Sequence, residues 1–307
     1  MTARTTCVAI VPARRAEATL ERTLESLRLQ DPIARILVVT SADDPTAEVA
    51  RRCVEVDPRI EVVAGPAALS AGAARNVGRD HAGDADFLLF IDADCSLDAG
   101  GVAALQRELC GRGLASISAR VVCDGNGVVA RARHLLEFKE AEGRHAAPPA
   151  WLPPSTTMLC RAEVFDRAGG FPDMWPGEDL VLMHRLQRLG CRVGLSARVR
   201  THHRHPAGFA EMLAHQHRLG LTSAAARRMT SVSGAVFVRY RWLAPLLLPA
   251  RLLRIAAWQL RSGFSGVVAL TQLSPVLLLG LVWWTAGFVR GARDAEACVG
   301  ERLELLR

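Results

Sequence analysis

The sequence contains few aromatic residues, a single tyrosine and a single lysine. Phe, Trp and Tyr together make up 5% of its 307 residues, and basic residues do not alternate with aromatic ones. The stacking platforms of single-strand nucleic-acid binders are therefore missing. Lys139 is the only lysine, so the net charge of +7 rests almost entirely on arginine, a usage typical of GC-rich genomes. The charge alone is a weak indication of a partner, and we expect no nucleic acid.

Paired cysteine motifs and a secretory leader pattern are also missing. None of the eight cysteines lies in a CxxC pair, and several lie inside apolar runs. This pattern favours small buried side chains in a reducing compartment over a disulfide framework or a zinc site. The first residues do not show the charged and apolar regions of a signal peptide. We therefore expect the N-terminal domain to stay in the cytosol.

Half of the residues are hydrophobic, and in the first hundred residues they alternate between strand and helix patterns. Continuous apolar runs predict strands buried on both faces, at residues 7–11, 36–39, 60–64 and 87–91. Leucines at helical spacing after residue 20, the Asp44-Pro45 pair and Ser70 predict the helices between them. This alternation predicts an α/β fold with a doubly wound, mostly parallel sheet and helices on both faces.

The loops that follow these strands are candidates for a ligand site. Ligands of doubly wound sheets bind at the carboxyl ends of the strands. Residues 12–14, 40–44 and 92–94 each follow a predicted strand. We therefore expect three separate loops to converge on one crevice.

Two acidic pairs carry the strongest chemical signal. Asp92 and Asp94 directly follow the apolar run FLLFI, and hard oxygen ligands of this kind suit Mg²⁺ or Mn²⁺. A turn-forming acid pair is the alternative. Glu178 and Asp179 open an amphipathic helix, where acids are also favourable for local dipole reasons. Together with the first pair, they become candidates for a general base.

The segment 70–76, SAGAARN, is rich in small residues. Small residues let a helix N-terminus approach a phosphate, and Arg75 could pair with that phosphate. A tightly packed helix without a ligand is the alternative interpretation.

The last third of the chain contains apolar runs of membrane length. Residues 262–289 carry no charge over 28 positions, and a spanning helix needs about 20 apolar residues. Residues 236–260 are apolar but interrupted by arginines and two prolines, which fits an interfacial helix or a poor second span. A buried helical subdomain is the alternative. We predict a membrane-associated helical region over 231–293, followed by a short polar tail over 294–307.

Five motifs occur in one order between about residue 7 and residue 228: CVAIVPAR, SAGAARNVG, FLLFIDADC, GGFPDMWPGEDLVL and HHRH…HQHRLG. As a set they resemble the family 2 glycosyltransferases of the GT-A fold. The resemblance implies a glycosyltransferase domain over 1–230. It also implies a nucleoside-diphosphate-sugar donor, transfer with inversion, and a divalent metal ion, Mn²⁺ or Mg²⁺.

The resemblance also implies roles for single residues. Asp179 resembles the base that deprotonates the acceptor hydroxyl, with Glu178 beside it. Asp94 and Asp92 resemble the metal-binding acids. From the histidine-rich residues 202–205 we choose His203 as a further candidate metal ligand. A solvated turn is the alternative interpretation of these residues. The residues that the resemblance implies for nucleotide-sugar binding are Pro12, Ala13, Arg14, Glu17, Arg75, Asp92, Asp94, Gln216 and Arg218.

The sequence departs from the family pattern after its second strand. That strand usually ends in an acid that reads the base, whereas this one ends in Thr40-Ser41. Asp43 or Asp44 could substitute after a loop shift, and the base identity stays open. A catalytically silent scaffold is disfavoured because both acidic pairs are present. A sugar-nucleotidylyltransferase would need a glycine-rich loop at 12–15, which is missing.

The apolar C-terminal region suggests where the acceptor is found. Tethering concentrates an enzyme beside lipid or lipid-linked substrates, so we expect a lipid or glycan acceptor. Nucleotide sugars are cytosolic, which places the catalytic domain on the cytoplasmic side of the cell membrane. The arginines near both ends of 262–289 give no decided orientation.

Overall fold

A computed structural model describes residues 5–65, 69–147, 151–205, 208–230 and 232–293. They form two compact units. The first contains the chain up to Val122 together with Leu152–His203, and the second contains Cys123–Trp151 together with the chain from Arg204 onwards. The predicted polar tail, 294–307, lies outside the described residues. The predicted boundary at residue 230 stays a prediction, and the compact units group 204–230 with the C-terminal helices.

Strands and helices alternate along the first half of the chain. The strands are β1 Cys7–Pro12, β2 Ile33–Ser41, β3 Ile60–Gly65, β4 Phe87–Ile91, β5 Cys95–Leu97, β6 Ser116–Cys123, β7 Thr157–Arg161 and β8 Val193–His203. The helices are α1 Leu20–Arg28, α2 Thr46–Val56, α3 Ala71–His81, α4 Gly101–Gly111, α5 Val128–Phe138, α6 Ala162–Arg167, α7 Glu178–Arg188, α8 Phe209–Met229, α9 Val236–Arg239, α10 Leu247–Leu260 and α11 Phe264–Arg293.

Within the described residues the strands form one eight-stranded sheet, in the order β3-β2-β1-β4-β7-β6-β8-β5. The first four strands are parallel, as predicted. Beyond β4 the sheet is mixed, because β7 pairs antiparallel with both β4 and β6, and β5 pairs antiparallel with β8. The α/β fold is confirmed, with the parallel part confined to β1–β4. Antiparallel neighbours need no crossover helix, so β7 has no βαβ pattern by which the sequence could reveal it.

Apolar side chains on both faces of the sheet explain why β1 and β4 are continuous apolar runs. Residues 7–11 and 88–91 are fully buried. On one face, Leu20, Leu24 and Leu27 of α1 cover β1. On the other face, Phe165, Leu182 and neighbouring side chains of α3, α6 and α7 complete the core. Helices on both faces are therefore confirmed.

The second unit is helical, and two of its helices approach unusually closely. A Cβ atom on Gly220 of α8 would lie 1.9 Å from the carbonyl oxygen of Trp284 in α11. A Cβ atom on Gly287 of α11 would lie 1.9 Å from the carbonyl oxygen of His217. Only glycine allows this backbone contact, which is also the packing mode of small-residue helix pairs in membranes.

The apolar C-terminal segments are only partly covered. Arg241–Leu260, a 3-10 helix followed by α10, and Phe264–Arg293 are both long and apolar enough to cross a membrane. In an apolar 18-residue stretch of each segment, 22% and 28% of the residues are buried, respectively. Trp242, Leu253 and Phe264 are 74%, 69% and 85% exposed. A buried helical subdomain therefore explains the covered side of these helices. It does not explain the apolar side chains that remain exposed on their outer side.

Candidate active site

The loop after β1, which contains Pro12, Ala13, Arg14 and Glu17, is held by the loop after β2. The backbone N–H of Ala13 donates to the carbonyl of Val39 at 2.9 Å. The backbone N–H of Arg15, at a positive φ of 51°, donates to the carboxylate of Asp44. Glu17 is exposed, and Arg14 and Pro12 are half-buried. The predicted nucleoside-binding loop is therefore rigid at its backbone while several of its side chains face solvent.

Asp44 is a structural residue of this crevice. Its carboxylate accepts from the backbone N–H of Thr46, at the start of α2, as well as from Arg15. Burial acts against ionisation, but these hydrogen bonds hold the pKa of Asp44 below its ordinary value. Asp43 beside it is exposed. Of the two acids considered for reading the base, Asp43 is therefore the accessible one.

The loop that carries Asp92 and Asp94 is fixed from two sides. The backbone N–H of Asp92 donates to the carbonyl of Thr156 at 2.9 Å. On the other side, the Thr23 hydroxyl of α1 donates to the carbonyl of Ala93 at 2.9 Å. The loop therefore continues the edge of β4 with little freedom, which is what a preorganised ligand site requires.

Four ligand atoms meet at this loop. One atom each from Asp92, Asp94, Cys95 and His203 lies within 4.8 Å of all the others. His203 is the last residue of β8 and pairs with Cys95 across the antiparallel ladder, which brings its Nε2 atom 3.6 Å from Asp94 Oδ1. This placement differs from the solvated turn considered above, because His203 is buried. His202, its neighbour, instead contacts Asp98 at 3.1 Å.

The donor set at this cluster suits a hard divalent cation. Burial, followed by the charges of Asp94 and Asp92, raises the pKa of the Cys95 thiol well above its ordinary value. A thiol is a soft ligand that hard cations do not select, whereas the two carboxylates and the imidazole are ligands that suit them. Carboxylate oxygens with one nitrogen ligand fit Mn²⁺ or Mg²⁺.

Arg75 of α3 joins the two acidic pairs. Its Nη2 atom lies 2.6 Å from Asp92 Oδ1, and its Nη1 atom lies 2.5 Å from Glu178 Oε1. The guanidinium also lies over the ring of Phe171, 5.0 Å from the centroid. Arg75 is almost fully buried. It therefore positions both acids, and its predicted contact with a diphosphate stays a prediction.

The small residues of segment 70–76 pack against the segment that precedes α7. A Cβ atom on Gly72 would lie 2.2 Å from the carbonyl oxygen of Pro172. The Asn76 side chain donates to the Phe171 carbonyl at 2.8 Å and accepts from the Phe171 N–H at 3.0 Å. These contacts correspond to the tightly packed helix that was the alternative interpretation of this motif.

Glu178 and Asp179 lie at the first turn of α7, after a turn that requires glycine. Gly177 has φ 103°, a conformation that side chains rarely adopt. The Asp179 carboxylate accepts from the Leu180 N–H at 2.7 Å. Burial, together with the neighbouring Glu178 carboxylate, raises the pKa of Asp179 to about 6. Burial and Asp94, opposed by Arg75, likewise raise the pKa of Asp92 to about 6.

Gln216 and Arg218 lie on α8 in the second unit. Gln216 is buried and donates from Nε2 to Glu137 Oε1 at 2.7 Å. Arg133 and His215 contact the same carboxylate at 3.1 and 3.5 Å. The predicted role of Gln216 and Arg218 in donor binding stays a prediction.

Phe171, Asn76 and Thr23 were not among the predicted site residues. Phe171 lies under the Arg75 guanidinium, Asn76 holds the backbone of Phe171, and Thr23 holds the backbone of Ala93. The motifs SAGAARNVG and GGFPDMWPGEDLVL contain two of them. Membership in these motifs could therefore have marked two of the three residues as candidates. The motifs do not show in which direction each side chain points.

Comparisons with known proteins agree with this geometry. The model of glycosyl transferase family 2 matches residues 8–169. A pre-mycofactocin glycosyltransferase of Mycobacterium tuberculosis is 28% identical over 284 residues, covering 88% of this chain and 56% of the relative. The chain thus spans about half the length of the curated relatives that it matches.

Two solved structures show the same fold. The mannosyltransferase PcManGT from Pyrobaculum calidifontis, in complex with GDP-Man and Mn²⁺, has a TM-score of 0.59 at 18% identity, with 95% of this chain and 87% of that chain covered. TarS of S. aureus, residues 1–349 in complex with UDP-GlcNAc, has a TM-score of 0.52 at 16% identity, with 97% and 92% covered.

Proposed function

This chain belongs to the family 2 glycosyltransferases, and from that premise we propose that it moves a sugar from a nucleoside-diphosphate-sugar to an acceptor hydroxyl with inversion, with the help of a divalent metal ion. The observation that carries the proposal is the buried guanidinium of Arg75, which joins Asp92 to Glu178. It holds the candidate metal-binding loop and the candidate base helix in one fixed arrangement.

A divalent ion suits the cluster of Asp92, Asp94 and His203. Such an ion supplies positive charge beside the departing diphosphate. The protein's own contribution is to hold the two carboxylates on a rigid loop and to keep His203 directed at Asp94. Because the ligands are already assembled, little reorganisation accompanies the reaction.

Asp179 is better suited than Glu178 to act as the base. Glu178 is 4% exposed, and one of its oxygens is occupied by Arg75, whereas Asp179 is half-buried. With a pKa of about 6, Asp179 is ionised at neutral pH and still basic enough to accept the hydroxyl proton as the new bond forms. Attack from the face opposite the leaving diphosphate then inverts the anomeric centre.

The second unit supports a location at a membrane surface. Its apolar outer side includes Trp242, Leu253 and Phe264, and arginines lie on the same segments. Helix α11 packs against α8, which carries His215, His217 and Arg218. A deep transmembrane position of α11 would draw these polar side chains towards hydrocarbon, which is costly. We therefore favour an interfacial position, with arginines at the headgroups and the catalytic domain in the cytoplasm.

A membrane-surface position favours a lipid or lipid-linked acceptor. The M. tuberculosis relative, matched over 88% of this chain, makes pre-mycofactocin a second acceptor to test. GDP-mannose and UDP-GlcNAc, present in the two solved structures, are the first donors to test.

The decisive experiment measures nucleoside diphosphate release by the full-length protein in detergent–lipid micelles. Each donor is offered with a lipid extract or with pre-mycofactocin, in the presence of Mn²⁺, Mg²⁺ or EDTA. We expect acceptor-dependent release that stops with EDTA and returns with metal. Release that persists in EDTA would contradict metal dependence. A product whose anomeric proton shows the donor's configuration by NMR would contradict inversion.

A further inference from the structure

A second group of metal-ligating side chains lies in the second unit and consists of residues to which no role has been given above. Cys123 ends β6, His134 lies in the middle of α5, and His205 follows β8. One ligand atom from each lies within 4.8 Å of the other two. The three come from separate stretches of the chain, so only the fold brings them together.

The two imidazoles face each other at a spacing that a single ion can bridge. His134 Nδ1 lies 3.1 Å from His205 Nε2. Two nitrogens that share a tetrahedral Zn²⁺ ion, each about 2.0–2.1 Å from it, lie about 3.3 Å apart. Movement of a few tenths of an ångström would therefore admit the ion. Cys123 is half-buried, which leaves a path from solvent to the ligand atoms.

The opposite side of His134 has the partner that metal-bound histidines use. Its Nε2 atom lies 3.0 Å from Glu142 Oε1, and Glu142 is held in turn by Arg144 at 2.9 Å. A carboxylate that accepts from the distal ring nitrogen fixes the tautomer and orients the lone pair of the other nitrogen towards the metal. The Glu142 carboxylate lies on the side of the ring from which such an interaction would direct His134 Nδ1 at His205 and Cys123.

We propose that Cys123 Sγ, His134 Nδ1 and His205 Nε2 bind one Zn²⁺ ion, with water in the fourth position. One thiolate and two imidazoles form a ligand set that selects zinc over Mg²⁺ or Mn²⁺. Binding releases the thiol proton of Cys123 and moves the ring proton of His205 from Nε2 to Nδ1. The ion ties the end of β6, α5 and the segment after β8 to one point.

The competing explanation is a metal-free arrangement, in which His134 shares a hydrogen bond with His205 and contacts the Glu142 carboxylate. It uses the same short distances among these three residues and leaves the Cys123 thiol donating to the Gly125 carbonyl at 3.6 Å. The thiol is therefore the feature that distinguishes the two explanations.

The test uses the full-length protein in detergent, stripped with a chelator and then dialysed against Zn²⁺ or Co²⁺. We expect one zinc equivalent by mass spectrometry that survives dialysis. We also expect the near-ultraviolet thiolate-to-Co²⁺ absorption and the intense visible bands of tetrahedral Co²⁺. Cys123→Ser should abolish the thiolate band, and His205→Gln should lower the affinity at least tenfold. Glu142→Gln should lower the affinity by about 10–100-fold, the range for lost outer-shell partners.

The matched controls are Cys53→Ser, a half-buried cysteine on α2, and Cys95→Ser, from the candidate site of the first unit. Both should keep the thiolate band. Zinc should also raise the melting temperature of the wild-type protein by more than that of Cys123→Ser, because an ion bound to the folded state stabilises it and the variant keeps only the cluster of the first unit. A wild-type protein that retains no zinc, a Co²⁺ spectrum without a thiolate band, or a band lost in Cys95→Ser instead of Cys123→Ser would overturn the proposal. The wild-type spectrum decides the matter even if a variant fails to fold.

Discussion

Two carboxylates separated by one residue have different surroundings in this protein. Asp92 is bound by the buried Arg75, whereas Asp94 faces His203. Asp92 thus has a structural role in the ion pair with Arg75. Asp94 is the more accessible of the two carboxylates for a metal ion. We therefore expect the two acids to contribute differently to the metal dependence proposed above.

Asp94→Asn should lower metal-dependent turnover by about 10²-fold or more, comparable to the loss of other charge-stabilising groups. Its fold should persist, because Asp94 lies on a loop with a third of its side chain exposed. Diphosphate release measured against Mn²⁺ concentration checks this, with the exposed Asp84→Asn as the control. An unchanged Mn²⁺ response in Asp94→Asn would remove Asp94 from the metal site.

Asp179→Asn should lower kcat/KM by about 10²–10⁴-fold, the usual contribution of a general base. In the wild-type protein, log kcat/KM should fall as the pH drops below about 6, because the pKa of Asp179 is raised to about 6 and only the ionised form accepts a proton. A full pH profile of both proteins is the measurement. Because the pKa of Asp92 is also raised to about 6, the size of kcat/KM on the neutral plateau decides the assignment, and a wild-type plateau in Asp179→Asn would move the base to Glu178.

The same pKa shift has a consequence for stability. The pKa of folded Asp179 lies above its ordinary value of 3.8, so folding favours the protonated form and ionisation at neutral pH opposes folding. Asp179→Asn should therefore melt at or above the wild-type temperature at pH 7, and the difference should shrink as the pH falls below about 6. A markedly lower melting temperature would show that its hydrogen bonds outweigh the burial of charge.

At the scale of the element, α3 connects the site to the core of the first unit. One of its arginines is buried between two acids, and another, Arg79, pairs with Asp166 at the surface. Both arginines belong to the same helix. Substituting each in turn therefore compares the contribution of a buried ion pair to stability with that of an exposed one.

Arg75→Met should lower the free energy of unfolding by about 3–5 kcal/mol, because removing one partner leaves a buried charge uncompensated. Arg79→Met should lower it by about 1 kcal/mol or less, as for other exposed pairs. Urea denaturation of both variants is the measurement. Equal losses would show that Arg75 contributes no more than a surface arginine.

The close packing of α3 gives a second test at this scale. Gly72→Ala places a Cβ atom 2.2 Å from the Pro172 carbonyl oxygen, so the segment before α7 must move. We expect a loss of about 1–3 kcal/mol of stability, as for other overpacked sites, and reduced turnover. Gly111→Ala at the end of α4 meets nothing within 4 Å and should be neutral or stabilising. Similar effects of the two changes on melting and turnover would contradict this account of α3.

At the scale of the whole molecule, the apolar outer side of the second unit predicts membrane binding. Replacing Trp242, Leu253 and Phe264 with Gln should lower the affinity of the full-length protein for liposomes at least tenfold. Each large apolar side chain contributes about 1.5–3 kcal/mol when fully buried. The fold should persist, since these side chains are exposed.

Flotation with vesicles of bacterial lipids measures this binding, at low and at high salt. The control replaces three exposed apolar side chains of the first unit, Leu29, Val56 and Leu189, and should float like the wild-type protein. A wild-type protein that is monodisperse without detergent and does not float would overturn the membrane proposal and leave the catalytic one standing.

Local sequence patterns were enough to predict the parallel half of the sheet and the positions of both acidic pairs. Strands buried on both faces are continuous apolar runs. The strands at residues 7–11 and 87–91 could therefore be predicted without knowing which strands lie beside them. The end of such a strand at Asp92, and the glycine before Glu178, are likewise local signals. The family resemblance was carried by the same local segments.

The contacts that these residues make depend on how distant segments of the chain fold together. Arg75 and Glu178 are 103 residues apart, and no local period reports that the guanidinium is buried between two acids instead of open to a phosphate. The antiparallel pairing of β5 with β8 selects His203 from the histidine-rich segment, and the fold of the second unit sets His205 beside His134 and Cys123. Local periodicity shows which side of an element is buried, whereas such pairings depend on side chains that meet only once the chain has folded.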